Sequence, residues 1–360
     1  MEQPQCSGAH LVSREHIQST LLAAGFEPSR YAQAHADLAG LDEAAACRHF
    51  IDHGADERRI FPVKVDTGAL RQIGDKKIVR ALVNAWGLSA ARSGQDVSTV
   101  CSELLGLADL GCRPYLVMGD SHSDRYCRFG TRGHHWLGPV HLSCSAGSAR
   151  GLGNPRSRSG YGSLIRRNVA SLVQRDIDIP MIVQFGQVDT EFVSIFNRIK
   201  QGSRSFSMHE AQAFNLVTIG AFVGFMRDCV PSATRHRVNV ASLFPPSLSD
   251  EKWAEGYING HILSLEAANV ADISARIREL EVPSFRQRTE LHAHYNEHLE
   301  RHCRREGFGF VDGFSPLLGE NGLLDQRWIA ETQGADHHVD HMPTTAPIES
   351  LLWSLIGPQV

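Results

Sequence analysis

Apolar positions along this chain recur with two periods. Residues 115–118, "YLVM", run straight into Gly119-Asp120-Ser121-His122, and an apolar run of that length bounded by a glycine reads as a buried strand. Further runs of strand character follow at "PVHLSC" (139–144), "PMIVQFG" (180–186), "RVNVASLFPP" (237–246) and "FGFVDG" (308–313). Between them the spacing changes to that of helices. Leu164, Ile165, Val169, Leu172 and Val173 share one helical face, and Leu291, Tyr295, Leu299 and Cys303 recur every four residues up to a stop at Gly307. Ser207 to Glu210, "SMHE", has the spacing of a capping box that opens the apolar helix containing Ala213 to Met226, and "APIESLLWSLI" is a C-terminal helix. Strands alternating with helices of this length predict an α/β domain over residues 109–360, its parallel sheet covered on both faces.

Ahead of it, residues 1–62 read as a small helical module and residues 63–108 as linking helices. The segment "YAQAHADLAGLDEAAACRHFIDHGADERRIFP" resembles short repeats attached to bacterial glycosyltransferases. That resemblance implies association with glycan-synthesis enzymes and an acylated carbohydrate as substrate.

The net charge of −4, without a basic run, gives no electrostatic reason to expect nucleic acid or an anionic membrane as partner. The longest apolar segment is too short to span a bilayer, so no membrane insertion is expected. The N-terminus lacks the pattern of a secretory signal, which places the protein in the cytoplasm as an expectation. Eight cysteines without a C-x-x-C pair read as reduced thiols. No cofactor is expected.

In a parallel sheet, chemistry collects at the carboxyl ends of strands. Three polar constellations fall there: Gly119-Asp120-Ser121-His122, the loop "CSAGSARGLGNPRSRSGYG" (144–162), and Gly186-Gln187-Val188-Asp189. A fourth, "ADHHVDHMP" (335–343), precedes the C-terminal helix. A serine after a sharp turn at a strand end presents its hydroxyl at the sheet rim, with its own N–H at the mouth of the next helix.

In order and spacing these blocks resemble the SGNH, or GDSL-like, hydrolase superfamily over roughly residues 110–360. The resemblance implies a three-layer α/β/α sandwich and an esterase or acyltransferase working through an acyl-serine. It makes Ser121 the nucleophile, gives the oxyanion to the N–H groups of Ser121 and Gly147, and makes a late-loop histidine the base. His338 oriented by Asp336 is the preferred base; His341 with Asp340 or Asp336 is the rival. The family's asparagine donor is replaced by Val188, and Asn154 or Gln187 stands as its substitute. Losing such a donor costs roughly a hundredfold or more in rate.

Asp120, His122 and Asp189 are supporting residues, with Asp120 bonding backbone in its turn. Arg156 and Arg158, before a helix N-terminus, form a candidate anion site. Two alternatives remain open. One is a glycan-binding module that keeps the fold without catalysis. The other is a metal-assisted phosphodiesterase using Asp336, His338, Asp340 and His341, with His122, Asp124 and Asp189 completing the ligands. His292, His294, His298 and His302 read as solvated helix residues. His134 and His135 beside Trp136 either line a cleft or cap a strand.

Overall fold

The structure is a computed structural model that describes residues 13–257, 270–329 and 337–357, with the side chains of 270–272 left aside. Its sheet runs β2-β3-β1-β4-β5-β6, formed by β1 (Cys112–Gly119), β2 (Thr131–Arg132), β3 (His135–Ser143), β4 (Met181–Gln184), β5 (Val238–Ala241) and β6 (Gly309–Val311). All pairings are parallel except β2 with β3, a short hairpin at one edge that carries no apolar signal in the sequence.

Alternation along β1 feeds two cores. Leu116 and Met118 pack with Leu82, Val100, Ile165, Ile219 and Leu299 from the helical side. Tyr115 and Val117 pack on the opposite face with Tyr126, Leu317, Ile348 and Leu352. Each fully buried aliphatic side chain contributes about 1.5–3 kcal/mol, so a strand loaded on both faces is a firm base for the loop that follows it.

The two faces are covered unequally. Helices Lys76–Ser89, Val97–Leu105, Tyr161–Gln174, Met208–Cys229 and Phe285–Glu306 all contribute to the first core. Among the described residues the second face has the helix Thr345–Ile356, with short 3-10 turns and loops. The segments expected as linkers therefore belong to the sandwich itself. Lys76–Ser89 lies so close to β3 that a Cβ on Gly87 would stand 2.2 Å from the Pro139 carbonyl oxygen. The N-terminal helices Arg14–Ala23, Pro28–Gln33 and Glu43–His49 join the same core through Leu21, Tyr31 and Cys47, with Phe26 and Phe50 beside them.

A third cluster forms a cap. Val188, Phe192, Ile195, Leu248, Trp253, Ile273 and Ile277 pack together beyond the ends of β4 and β5. None of the described helices is long and apolar enough to cross a membrane.

Candidate active site

β1 lies between β3 and β4, and the chain leaves β1 toward both sides of the sheet, so its C-terminal end is the topological switch point. The backbone there is held from both neighbours. Cys144 N–H donates to the Gly119 carbonyl at 2.7 Å, and Asp120 N–H donates to the Gln184 carbonyl at 3.2 Å. A Cβ at 119 would lie 2.3 Å from Gln184 O and 2.6 Å from Ser123 Cβ. Glycine is required at 119 by that close approach.

The chain then turns into a 3-10 helix, Ser121–Tyr126, capped by Asp120, whose carboxylate accepts the His122 N–H at 2.9 Å. Ser121 sits half-buried at the head of this turn, where its own N–H has no intrahelical acceptor. Its Oγ lies 2.8 Å from His338 Nε2, so the hydroxyl donates when that nitrogen carries no proton.

Asp120 is fully buried. Burial pushes its carboxyl up to about 7, opposed by the His122 N–H and by the imidazoles of His338 and His337. Both ring nitrogens of His122 face acceptors, Asp120 Oδ1 at 3.1 Å and the His337 carbonyl at 3.3 Å. An imidazolium beside a carboxylate serves that arrangement, as does a carboxylic acid donating to Nδ1. The His122 and His338 rings stand 4.3 Å apart, and His337 and His338 stand 3.9 Å apart. His337 is anchored through Nδ1 to the Tyr257 hydroxyl at 2.9 Å.

The late loop is fastened by a ladder that the sequence reading missed. His122 meets the His337 carbonyl, Arg125 Nε donates to the Val339 carbonyl at 2.8 Å, and Arg128 Nη1 donates to His341 Nε2 at 2.7 Å. His122, Arg125 and Arg128 recur every three residues; the first two lie one turn apart on the 3-10 helix Ser121–Tyr126, and Arg128 follows its end. They meet positions 337, 339 and 341, every second residue of the other segment. That 3-against-2 spacing is the signal that was available in the sequence.

The ladder also separates the two rival bases. An arginine can only donate, so His341 Nε2 is an acceptor and its ring is neutral. Burial, then Arg128 and Arg125, pull His341 down to about 4. Arg128 itself is buried and lowered to about 10 by burial and by Arg125, with Thr344 Oγ1 as a second acceptor at 3.1 Å. His341 is thus committed to holding the loop, while the ring of His338 reaches Ser121. Asp336, the expected orienter, lies outside the described residues.

Other expected site residues are placed differently. Gly147 N–H donates to the Cys144 carbonyl at 2.7 Å, closing a tight turn in which a Cβ would be 2.6 Å from that same oxygen. The expectation that this N–H faces an oxyanion is corrected here, because the turn consumes it. Asn154 is exposed and accepts the Arg156 N–H at 2.9 Å within its own loop, a second correction to the expected oxyanion donors. Gln187 is spent on Glu191 and on the backbone of Phe244.

Asp189 is a buried clamp. It accepts Ser148 Oγ at 2.7 Å and the N–H groups of Ala149 and Arg150 at 2.6 and 3.3 Å, fixing the 144–150 loop beside the serine. Burial raises its carboxyl, and these donors oppose the rise. Val188, at the position where the resemblance expects an asparagine, is buried in the cap with Phe192 and serves packing.

Arg156 and Arg158 lie on the exposed loop before the helix Tyr161–Gln174. His134, His135 and Trp136 are at the start of β3, the opposite end of the sheet from Ser121. His292 is buried, with its Nδ1 donating to the Phe244 carbonyl at 2.7 Å, which corrects the expectation of a solvated residue.

Among the described residues, His122, His337 and His338 each offer a ligand atom within 4.8 Å of the others. Imidazole suits zinc or another borderline metal ion.

No protein-family model matches the chain, and no curated protein matches it. Solved structures do. A GDSL-like lipase from Bacteroides thetaiotaomicron is similar at 13% identity and a TM-score of 0.35, covering 69% of this chain and 89% of that one. An extracellular lipase from Streptomyces rimosus is similar at 13% identity and a TM-score of 0.35, covering 67% of this chain and 99% of that one. Neither similarity assigns a role to a residue of this chain.

Proposed function

We propose that this chain is a serine esterase or O-acyltransferase that works through an acyl-Ser121 intermediate. The observation that carries the reading is the 2.8 Å approach of Ser121 Oγ to His338 Nε2 at the rim of the sheet. His338 takes the hydroxyl proton as Oγ attacks an ester carbonyl, then returns it to the departing alcohol; water or a second alcohol resolves the acyl-enzyme in the reverse sense. The Ser121 N–H, at the head of its 3-10 turn, is the donor offered to the oxyanion. With Gly147 N–H and Gln187 engaged elsewhere, this is a lean oxyanion hole and predicts a slow turnover.

An acylated carbohydrate substrate, and association with glycan-synthesis enzymes, rest on the resemblance of the N-terminal segment alone. The test is to follow hydrolysis of p-nitrophenyl acetate and of acetylated sugars by the purified chain. An initial burst stoichiometric with enzyme supports an acyl-enzyme. Equal turnover by Ser121→Ala defeats it.

A second reading has its own observation, the three imidazoles of His122, His337 and His338. A metal-assisted hydrolase built on them predicts stoichiometric zinc in the purified protein and loss of activity on chelation. The acyl-serine reading predicts activity that a chelator leaves unchanged.

A further inference from the structure

The helix Met208–Cys229 turns one face into the core through Ile219, Phe222, Val223 and Met226 and leaves the opposite face open. That open face is apolar too. Val217 keeps 58% of its surface exposed and Leu216 39%, beside exposed Ala213, Gly220 and Ala221. A helix that is apolar all round is ordinarily buried all round, and among the described residues nothing covers this one on its outer side.

A regular seam runs along the open face. Glu210, Ala213, Val217, Gly220, Gly224 and Arg227 follow one another at intervals of three, four, three, four and three residues, the spacing by which one helix seats another. All are exposed except Gly224, which is half-buried. Gly220 and Gly224 stand in the helix interior, where glycine is destabilising relative to alanine, and a Cβ on either would meet nothing within 4 Å. The fold itself does not require glycine there. Two bare positions on an apolar seam allow the close approach of a second backbone.

The charges at the two ends of the seam select the occupant. The same helix from another copy, laid parallel, would set Glu210 on Glu210 and Arg227 on Arg227. Laid antiparallel and centred between Thr218 and Ile219, it sets Glu210 against Arg227, Ala213 against Gly224 and Val217 against Gly220. Each larger side chain then meets a smaller one, and each charge meets its opposite. Arg227 also has its neighbour Asp228 at 3.3 Å, but with both side chains more than half exposed that contact contributes little. Arg150 and Arg166 lie to the side, over the rings of Phe214 and Phe225, and so are outside the seam.

We propose that two copies of this chain pair antiparallel through this seam, forming a twofold dimer closed by a Glu210–Arg227 ion pair at each end. A twofold interface uses one patch on both partners, so it requires a surface that matches itself when reversed. This seam does. A single helix pair is a small interface, and the dimer is expected to dissociate reversibly at micromolar concentration. The proposal does not depend on the acyl-serine reading.

The test is sedimentation velocity of the full chain from about 1 to about 200 µM, a range that brackets the dissociation of so small an interface. A monomer that converts to a dimer with rising concentration is expected. Val217→Asp should abolish the dimer, and Glu210→Arg or Arg227→Glu alone should weaken it about tenfold by setting like charges together at both ends. Combining Glu210→Arg with Arg227→Glu should restore it, which only the antiparallel register allows. These positions are exposed in the single chain, so each variant should fold and still react with a fluorophosphonate at Ser121. Failure of the interface and failure of the acyl-serine reading are therefore separate results. A monomer at every concentration would overturn the proposal, as would a dimer that survives Val217→Asp or a charge-swapped double variant that stays monomeric. Flotation of monomeric protein with phosphatidylcholine vesicles, lost in Val217→Asp, would assign the face to lipid and overturn it too.

Discussion

Two serines on the same 3-10 turn meet two histidines, and only one of these pairs has the exposure that the proposed chemistry needs. Ser121 is half-buried and faces His338 at 2.8 Å. Ser123 is fully buried, with its Oγ 3.1 Å from His141 Nε2, and His141 Nδ1 stands 3.5 Å from Asp124 Oδ1. By residue type the second constellation is the more complete, since it holds a serine, a histidine and an aspartate.

Physically it is inert. The Ser123 hydroxyl already donates to the Asp120 carbonyl at 2.7 Å, and no substrate carbonyl reaches a side chain with no exposure. His141 is lowered to about 4 by burial, with Asp124 opposing only in part, so it cannot hold a transferred proton near neutral pH. The comparison teaches that proximity of the three residue types is insufficient. Access and a base able to accept a proton separate a nucleophile from a structural hydroxyl.

The largest expected contrast is between two alanine substitutions. Ser121→Ala should abolish turnover, a loss of roughly 10⁴-fold or more, while leaving the unfolding midpoint close to that of the parent. Ser123→Ala should keep turnover within a small factor but lower stability by about 1–3 kcal/mol, because His141 loses a buried partner; urea titration checks it. Exchange of these two phenotypes would invert the account.

Gly119→Ala should damage both pairs at once. Its Cβ would meet Gln184 O and Ser123 Cβ at distances real Cβ atoms do not adopt, and overpacking of this kind costs about 1–3 kcal/mol. Turnover and midpoint should fall together. Loss of one without the other would show that the two serines are not positioned by a shared glycine.

The two late-loop histidines sharpen the comparison further. His338→Ala should lose turnover. His341→Ala should retain most of it yet lower stability by about 1–3 kcal/mol, since buried Arg128 loses an acceptor. Loss of all turnover in well-folded His341→Ala would return that residue to candidacy as the base.

A last contrast is in the pH dependence of stability. His141 folded titrates at about 4 and unfolded near 6.5, so the unfolded chain binds the extra proton across that window and stability is lost as pH falls through it. Glu191 works in the opposite sense. Its carboxyl is held at about 7 against an ordinary 4.5, so its contribution is present below 4.5 and lost as pH rises toward 7. His141→Gln should flatten the acid side of the stability profile and Glu191→Gln the neutral side, read from urea midpoints across pH. A profile unchanged by either substitution would show that those groups titrate normally.

Much of the architecture was legible. The five parallel strands announce themselves because both faces are buried and the apolar runs are nearly unbroken, whereas the hairpin strand Thr131–Arg132 is exposed and carries no apolar signal. Helix Lys76–Ser89 was readable as a helix, but periodicity does not say what a helix packs against, and so its place over β3 was not. The serine and the histidine loop were legible as blocks in order. The fate of Gly147 was not, because a turn hydrogen bond leaves no mark on composition. His292 was misread because it follows Leu291 at the margin of the apolar stripe, and its partner, the Phe244 carbonyl, is remote in sequence. The buried pair Ser123–His141 was likewise out of reach, since it depends on β1 and β3 being adjacent.

Fluorophosphonate labelling followed by peptide mapping of the turn that holds both serines decides which hydroxyl is the nucleophile. A single adduct on Ser121 is expected, absent in Ser121→Ala and in His338→Ala, and unaffected by Ser123→Ala. An adduct on Ser123, or labelling of Ser121 that persists without His338, would contradict it.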